Sequence, residues 1–162
     1  MNVLVTGSTG FKGAWLSYWL SLVGANVVGV GLKPEKGSII FNSLNLGKKI
    51  RQYFIDIKDF KKINHIIKKE KPDIIFHLAA QSIVSLSFLK PLETFETNIL
   101  GSANILESVR INRIPNLVYI TSDKCYLNLN KSSSFKETDV LGGKDNYSSS
   151  KARAELIFAS YF

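Results

Sequence analysis

Asn2-Val3-Leu4-Val5-Thr6-Gly7-Ser8-Thr9-Gly10-Phe11-Lys12-Gly13 decides the fold. Asn2–Thr6 reads as a short buried strand, and three glycines, Gly7, Gly10 and Gly13, follow at once. A helical pattern then begins over about 12–23, with Trp15, Leu16, Trp19, Leu20 and Val23 as its apolar residues. A glycine-rich turn between strand and helix lets the backbone come close to a pyrophosphate, and the helix N-terminus favours negative charge there. The spacing is G-x-x-G-x-x-G, not the usual G-x-G-x-x-G. A tight packed turn with nothing bound stays open beside a dinucleotide site.

Further strand-like runs recur at 26–31, 52–55, 73–78 and 116–121. Helical patterns lie at about 59–70, 92–111 and 146–160. Strands rich in Val and Ile that alternate with helices predict a parallel sheet covered on both faces. The class is α/β, a doubly wound Rossmann-like sheet of order 3-2-1-4-5. Residues 33–48 read as a loop or a poorly formed helix, and 128–139, polar and Ser/Lys-rich, as a loop flanking the site.

Ligands of such sheets bind beyond the carboxyl ends of the strands. Three segments meet that rim: the glycine loop, Ala79-Ala80-Gln81-Ser82 after the fourth strand, and Ser122-Asp123-Lys124 at the end of the fifth. Tyr147 and Lys151 stand one helical turn apart, so the ammonium lies near the phenol and favours its ionised form. That makes Tyr147 a usable base, with Ser122 sharing a hydrogen bond to the hydroxyl that loses its proton. Asp123 and Lys124 add an acid and a base that simple alcohol oxidation does not need. His77, inside an apolar strand, reads as a core histidine.

Together these segments resemble the extended branch of the short-chain dehydrogenase/reductase superfamily that works on nucleotide sugars. The resemblance runs in family order through Val5–Gly13, Phe76–Gln81, Thr97–Gly101, Thr121–Tyr126 and Tyr147–Lys151. Within the branch it is strongest to the CDP-glucose 4,6-dehydratases, because dTDP-glucose dehydratases usually carry Asp-Glu where Asp123-Lys124 stands here. It implies cofactor contacts at Gly7, Thr9, Gly10, Phe11, Lys12, Gly13, Asp56, Ile57, Leu78, Ala79, Ala80, Gln81, Tyr147 and Lys151. Substrate contacts fall to Ser82, Asp123, Lys124 and Tyr147, and no metal is implied. Asp56 either meets the adenine or caps a helix beside Asp59. Gln81 and Ser82 face either the cofactor or the sugar, and Asn98 matches an active-site-supporting asparagine.

The implied chemistry is oxidation at carbon 4 with Tyr147 as base. Lys124 removes the carbon-5 proton, and Asp123 protonates the departing 6-hydroxyl. The implied cofactor is NAD. NADP stays open, because the end of the second strand reads Val30-Gly31-Leu32-Lys33, with no acid before Glu35. An epimerase or reductase of the same branch, or a cofactor-binding fragment without activity, are the alternatives.

Chain length and charge bound the rest. The 162 residues suit one domain, read as an NAD(P)-binding unit over 1–162. Family members are about twice as long, with a second, sugar-binding domain. The C-terminal substrate domain is therefore expected to lie outside this chain, which stops within the helix that carries Tyr147. The net charge of +8 comes with lysines dense at 58–71. Phe60, Ile63, Ile66 and Ile67 share one helical face and leave those lysines on a solvated one, so no nucleic-acid partner is expected. Cys125 as the single cysteine fits a reducing compartment, no room is left for a signal peptide, and no apolar run nears the roughly 20 residues of a membrane span. The expected location is cytoplasmic, with a nucleotide sugar as partner. The family implies a homodimer through helices 92–111 and 146–160, with Leu92, Phe95, Ile99, Leu106 and Val109 as an apolar stripe.

Overall fold

The computed structural model describes residues 1–34, 39–129 and 134–162. Glu35 and parts of segments 33–48 and 128–139 lie outside the described residues. Five parallel strands form one sheet: β1 (Asn2–Thr6), β2 (Asn26–Gly31), β3 (Arg51–Phe54), β4 (Ile74–His77) and β5 (Leu117–Tyr119). Their order, β3-β2-β1-β4-β5, is the doubly wound one expected. Val3 pairs with Val27 on one side and Ile74 on the other, so β1 is the central strand.

The pleat divides the core. On β1, Leu4 joins Val28, Val30, Ile75 and the isoleucines of α4 (Phe60–Glu70) on one face. Val3 and Val5 meet Ala14, Val27, Phe41 and Leu46 on the other. There α1 (Phe11–Leu22), α2 (Ile39–Ser43) and α3 (Leu46–Lys49) cover the sheet. On α4, Ile63, Ile66 and Ile67 are buried, while Lys61, Lys62, Lys68 and Lys69 stand in solvent. The charge cluster is a solvated helix face, as the spacing predicts.

Two expectations need correction. Helix α1 buries Gly13, Ala14 and Ser17, whereas Trp15, Trp19 and Val23 are exposed. Leu16 and Leu20 only flank the core. Small residues let the helix close on the strands, and close approach, not bulk, chose its inner face. The stretch expected as one helix over 92–111 is α6 (Pro91–Phe95), a π-helical turn (Glu96–Gly101) and α7 (Ser102–Asn112), in direct succession. The stripe proposed for pairing splits across that run. Leu106 and Val109 are buried, Val109 in the core cluster of the sheet, while Leu92 is exposed. An additional helix, α5 (Val84–Leu89), follows the loop after β4, and α8 (Asn146–Tyr161) closes the described chain. Among the described residues no helix is long and apolar enough to cross a membrane.

Candidate active site

A cavity of about 410 Å³ opens at the carboxyl ends of the strands. Its floor is the glycine loop. Gly7 adopts φ +73°, and a Cβ there would sit 2.9 Å from the Ala79 nitrogen. A Cβ on Gly13 would lie 2.1 Å from the Gly7 carbonyl oxygen, so Gly13 is what lets α1 start against the end of β1. Gly10 differs. Its backbone is extended (φ −81°, ψ 173°), and an added Cβ would meet only the Gly7 oxygen at 3.3 Å. That oxygen would have to give by a few tenths of an ångström, a much smaller conflict than at Gly7 or Gly13, and Gly10 lines the cavity. The first turn of α1 has no side-chain cap, so backbone N–H groups there are available to an anion. Lys12 adds a cation on the same lining.

The strand ends supply the walls. Asp56, Ile57, Leu78, Ala79, Ala80 and Ser82 all line the cavity. Asp56 accepts from the Lys58 N–H at 2.9 Å and lies 3.6 Å from its ammonium. The helix cap is Asp59, which accepts from Lys62 N–H at 3.1 Å, so capping does not account for Asp56. Gly31, Leu32 and Ile55 also line the cavity. They were not singled out in the sequence, although the strand-end rule applies to them equally.

Thr6 holds the exit of β4 in place. Its hydroxyl accepts from the N–H groups of Leu78 and Ala79, both at 3.1 Å. Its own proton is thereby directed to His77 Nδ1, 2.7 Å away, and His77 Nε2 then donates to Ser102 Oγ at 3.0 Å. Burial lowers His77 to about 3, and the charge of Lys151 adds to that. It is a neutral, fully partnered core histidine, as its apolar strand suggested.

Tyr147 and Lys151 form the opposite wall. Asp145 caps α8 by accepting from the N–H and hydroxyl of Ser148, at 2.9 and 2.6 Å. Asn146 donates to the Ser87 carbonyl at 3.1 Å. Asn98, within the π-helical turn, donates to Ser150 Oγ at 2.9 Å and to the Gln81 carbonyl at 3.0 Å, and accepts from Gln81 N–H at 2.8 Å. One asparagine thus ties the loop after β4 to the helix that carries Tyr147. Tyr147 is 8% and Lys151 6% exposed, and the ammonium lies 6.0 Å from the phenol ring centre. Burial lowers Lys151 to about 8, against the pull of Glu155.

Four expected residues stay off the cavity lining. The Gln81 side chain donates to Thr94 Oγ1 at 2.9 Å and accepts from Ile83 N–H at 2.6 Å. Those bonds turn it into the fold and away from the ligand space. Ser122 caps the short 3-10 turn Asp123–Cys125 by accepting from Lys124 N–H at 3.2 Å, and it donates to Asp123 Oδ1 at 3.1 Å. Asp123 and Lys124 stand exposed beyond the rim, and no ion pair joins them among the described residues.

The match to known proteins spans the whole chain. The family described as GDP-mannose 4,6 dehydratase matches over residues 4–162. CDP-glucose 4,6-dehydratase of Salmonella typhimurium is 42% identical over 161 residues, covering 99% of this chain and 45% of that protein. Among solved structures, UDP-glucose 4-epimerase of Thermotoga maritima with UDP-glucose superposes with a TM-score of 0.87 at 27% identity, over 99% of this chain and 51% of that one. The Thermus thermophilus UDP-glucose 4-epimerase complex with NAD gives 0.84 at 27%, over 99% and 50%. The chain spans about half the length of the relatives it matches.

Proposed function

The chain belongs to the GDP-mannose 4,6 dehydratase family, and from that premise we propose that residues 1–162 form the NAD-binding domain of a nucleotide-sugar 4,6-dehydratase acting on CDP-glucose. The observation that carries this reading is the facing of the glycine loop and the Tyr147–Lys151 wall across one cavity. The choice of CDP-glucose follows the Salmonella relative and the presence of Asp123-Lys124 after Ser122.

The residues fit a dinucleotide. Gly10 leaves its side of the cavity open, uncapped N–H groups of α1 suit a pyrophosphate, and Ala79 and Ala80 keep the strand end low. Lys12 adds charge complementary to the phosphates. NAD bound there supplies the acceptor for a hydride taken from carbon 4 and given back to carbon 6. Tyr147 removes the proton of the 4-hydroxyl, and Lys151 holds its ammonium beside the phenol and the nicotinamide ribose. Lys124 takes the carbon-5 proton, made acidic by the new 4-keto group. Asp123 protonates the departing 6-hydroxyl. Protonated Lys124 returns a proton to carbon 5 as the hydride reaches carbon 6, and the product is a 4-keto-6-deoxy sugar nucleotide. The epimerase neighbours support a second reading, in which only Tyr147, Lys151 and Ser122 act. Asp123 and Lys124 favour the dehydratase, because epimerisation at carbon 4 needs no additional acid–base pair.

We further propose a homodimer through the α6–α7 run and α8, whose exposed apolar residues Leu92, Leu100 and Leu156 are available for it. Two measurements test the reading. Calorimetry should detect NAD binding to residues 1–162. The protein expressed from its own gene should convert CDP-glucose to a product lighter by one water in mass spectrometry. A product of unchanged mass would turn the assignment to epimerase.

A further inference from the structure

Below Lys151 on α8 lies a carboxylate that the proposed chemistry does not use. Tyr147, Lys151 and Glu155 fall at i, i+4 and i+8, one line along the helix. Glu155 is half-buried, and it accepts a hydrogen bond from Thr121 Oγ1, on the segment that leaves β5 and lines the cavity wall. Its oxygen is thus fixed to the segment that follows β5, next to a residue of the cavity lining. Lys151 is nearly buried, and among the described residues its ammonium has no ion pair or hydrogen bond. That leaves its donors free for a ligand, and leaves its charge in need of support.

We propose that Glu155 is a positioning residue that supplies the counter-charge keeping Lys151 protonated beside Tyr147, acting through its field and without direct contact. The proposal rests on the reading of Lys151 as the partner of Tyr147 and of the cofactor.

The surroundings agree with it. Burial works against the Lys151 charge, Glu155 favours it, and Lys12 from the glycine loop opposes it. His77 from β4 is buried and feels Lys151 in turn. Burial raises Tyr119, Cys125 and Tyr126, and the Glu155 charge adds to that in each. Among the described residues, Glu155 is the carboxylate whose field favours the Lys151 ammonium, and Thr121 anchors it. A direct ion pair would occupy the ammonium that a ribose hydroxyl needs. A carboxylate one turn away steadies the charge and leaves the donors open.

The competing account is mechanical: Glu155 merely clamps α8 to the end of β5 through Thr121. Two variants separate the accounts. Glu155→Gln keeps an oxygen that accepts from Thr121 and removes the charge. Thr121→Val removes the clamp and keeps the charge. The probe is the ¹³Cε resonance of Lys151 in lysine-labelled protein without cofactor, assigned by its loss in Lys151→Arg and followed against pH. Glu155→Gln should lower the titration midpoint by roughly one on the pH scale, the size of a single charge across several ångström at an effective dielectric of about 20–40. Glu155→Asp should restore most of it, and Thr121→Val should move it far less. An unchanged midpoint in Glu155→Gln, or an equal fall in Thr121→Val, would overturn the proposal. NAD affinity measured over the same pH range reports separately on the cofactor reading. If the midpoint falls in Glu155→Gln while wild-type NAD binding ignores the Lys151 titration, Glu155 keeps its role and the cofactor reading fails.

Discussion

The two pairs proposed to share the chemistry are built differently. Tyr147 and Lys151 are almost wholly buried, on a helix capped by Asp145 and braced by Asn98. Asp123 and Lys124 stand exposed on a short 3-10 turn that is capped by Ser122 and held through the buried Cys125. Buried, braced groups lose little freedom when a reaction needs them in place, whereas exposed ones must still be ordered and dried. On the proposed reading, the groups assigned to oxidation at carbon 4 are the preorganised ones. Those assigned to elimination of water would depend on what covers the rim when substrate binds.

That contrast breaks most sharply in mutant kinetics. In the protein expressed from its own gene, Tyr147→Phe should slow the first hydride transfer by a factor on the order of 10²–10⁴, the usual range for a lost acid–base group. Lys124→Ala should leave NAD binding and that first transfer largely intact. It should instead slow exchange of the carbon-5 hydrogen with deuterated solvent on the order of a hundredfold. Equal losses at the same step in both variants would mean the pairs act as one unit.

The glycine loop carries the same division between fold and ligand. Gly13→Ala places a methyl group 2.1 Å from a backbone oxygen that cannot yield. It should cost on the order of 3 kcal/mol or more in denaturant unfolding. Gly10→Val meets only one oxygen at 3.3 Å, with a backbone already extended. It should fold normally and lose dinucleotide binding by calorimetry. A Gly10→Val protein that still binds NAD would remove the pyrophosphate from the loop.

How far such distinctions were legible in the sequence depends on whether they are local. Strand positions followed from apolar runs, rich in Val and Ile in β1, β2 and β4, and the strand order from chain handedness, so the rim was fixed before any side chain was placed. The orientation of Tyr147 towards Lys151 followed from helical spacing. Other features depend on partners remote in sequence. The Gln81 side chain was drawn away from the cavity by Thr94, 13 positions on, while Asn98, 17 positions on, holds its backbone N–H. Helix α5 begins at Val84, and Ile83 before it supplies no side-chain cap, so nothing local announces it. The π-helical turn uses the same residue types as its α-helical neighbours, and only its hydrogen bonds set it apart.

Burying a cation should leave a thermodynamic trace. Lys151 ordinarily titrates near 10.5 and is lowered by burial to about 8. Between those values the unfolded chain binds the proton and the folded chain does not, so stability rises with pH across that window. Below about 8 the folded protein carries the buried charge at its full cost. Lys151→Met should therefore be more stable than wild type at neutral pH by roughly 1–3 kcal/mol, an advantage that shrinks as pH climbs towards 10.5. The same variant should lose NAD affinity. A Lys151→Met protein no more stable than wild type at pH 7 would mean the ammonium reaches water, and the contrast with Lys124 would narrow.

The smallest effect is expected where bulk suggests a large one. A tryptophan in an apolar helical pattern is ordinarily a core residue whose truncation costs about 3–5 kcal/mol. Trp19, however, is 65% exposed on α1, because Gly13, Ala14 and Ser17 take the inner face and bring the helix close to the sheet. Replacing Trp19 by Gln removes little buried area and keeps a good helix former. The change in unfolding free energy should stay within about 0.5 kcal/mol. Ala14→Leu, on the inner face, adds volume where none is free and should cost about 1–3 kcal/mol despite being the more apolar change. Reversed results, with Trp19→Gln severe and Ala14→Leu silent, would turn α1 over. Gly13 would then no longer face the end of β1, and the loop on which the cofactor reading depends would lose its footing.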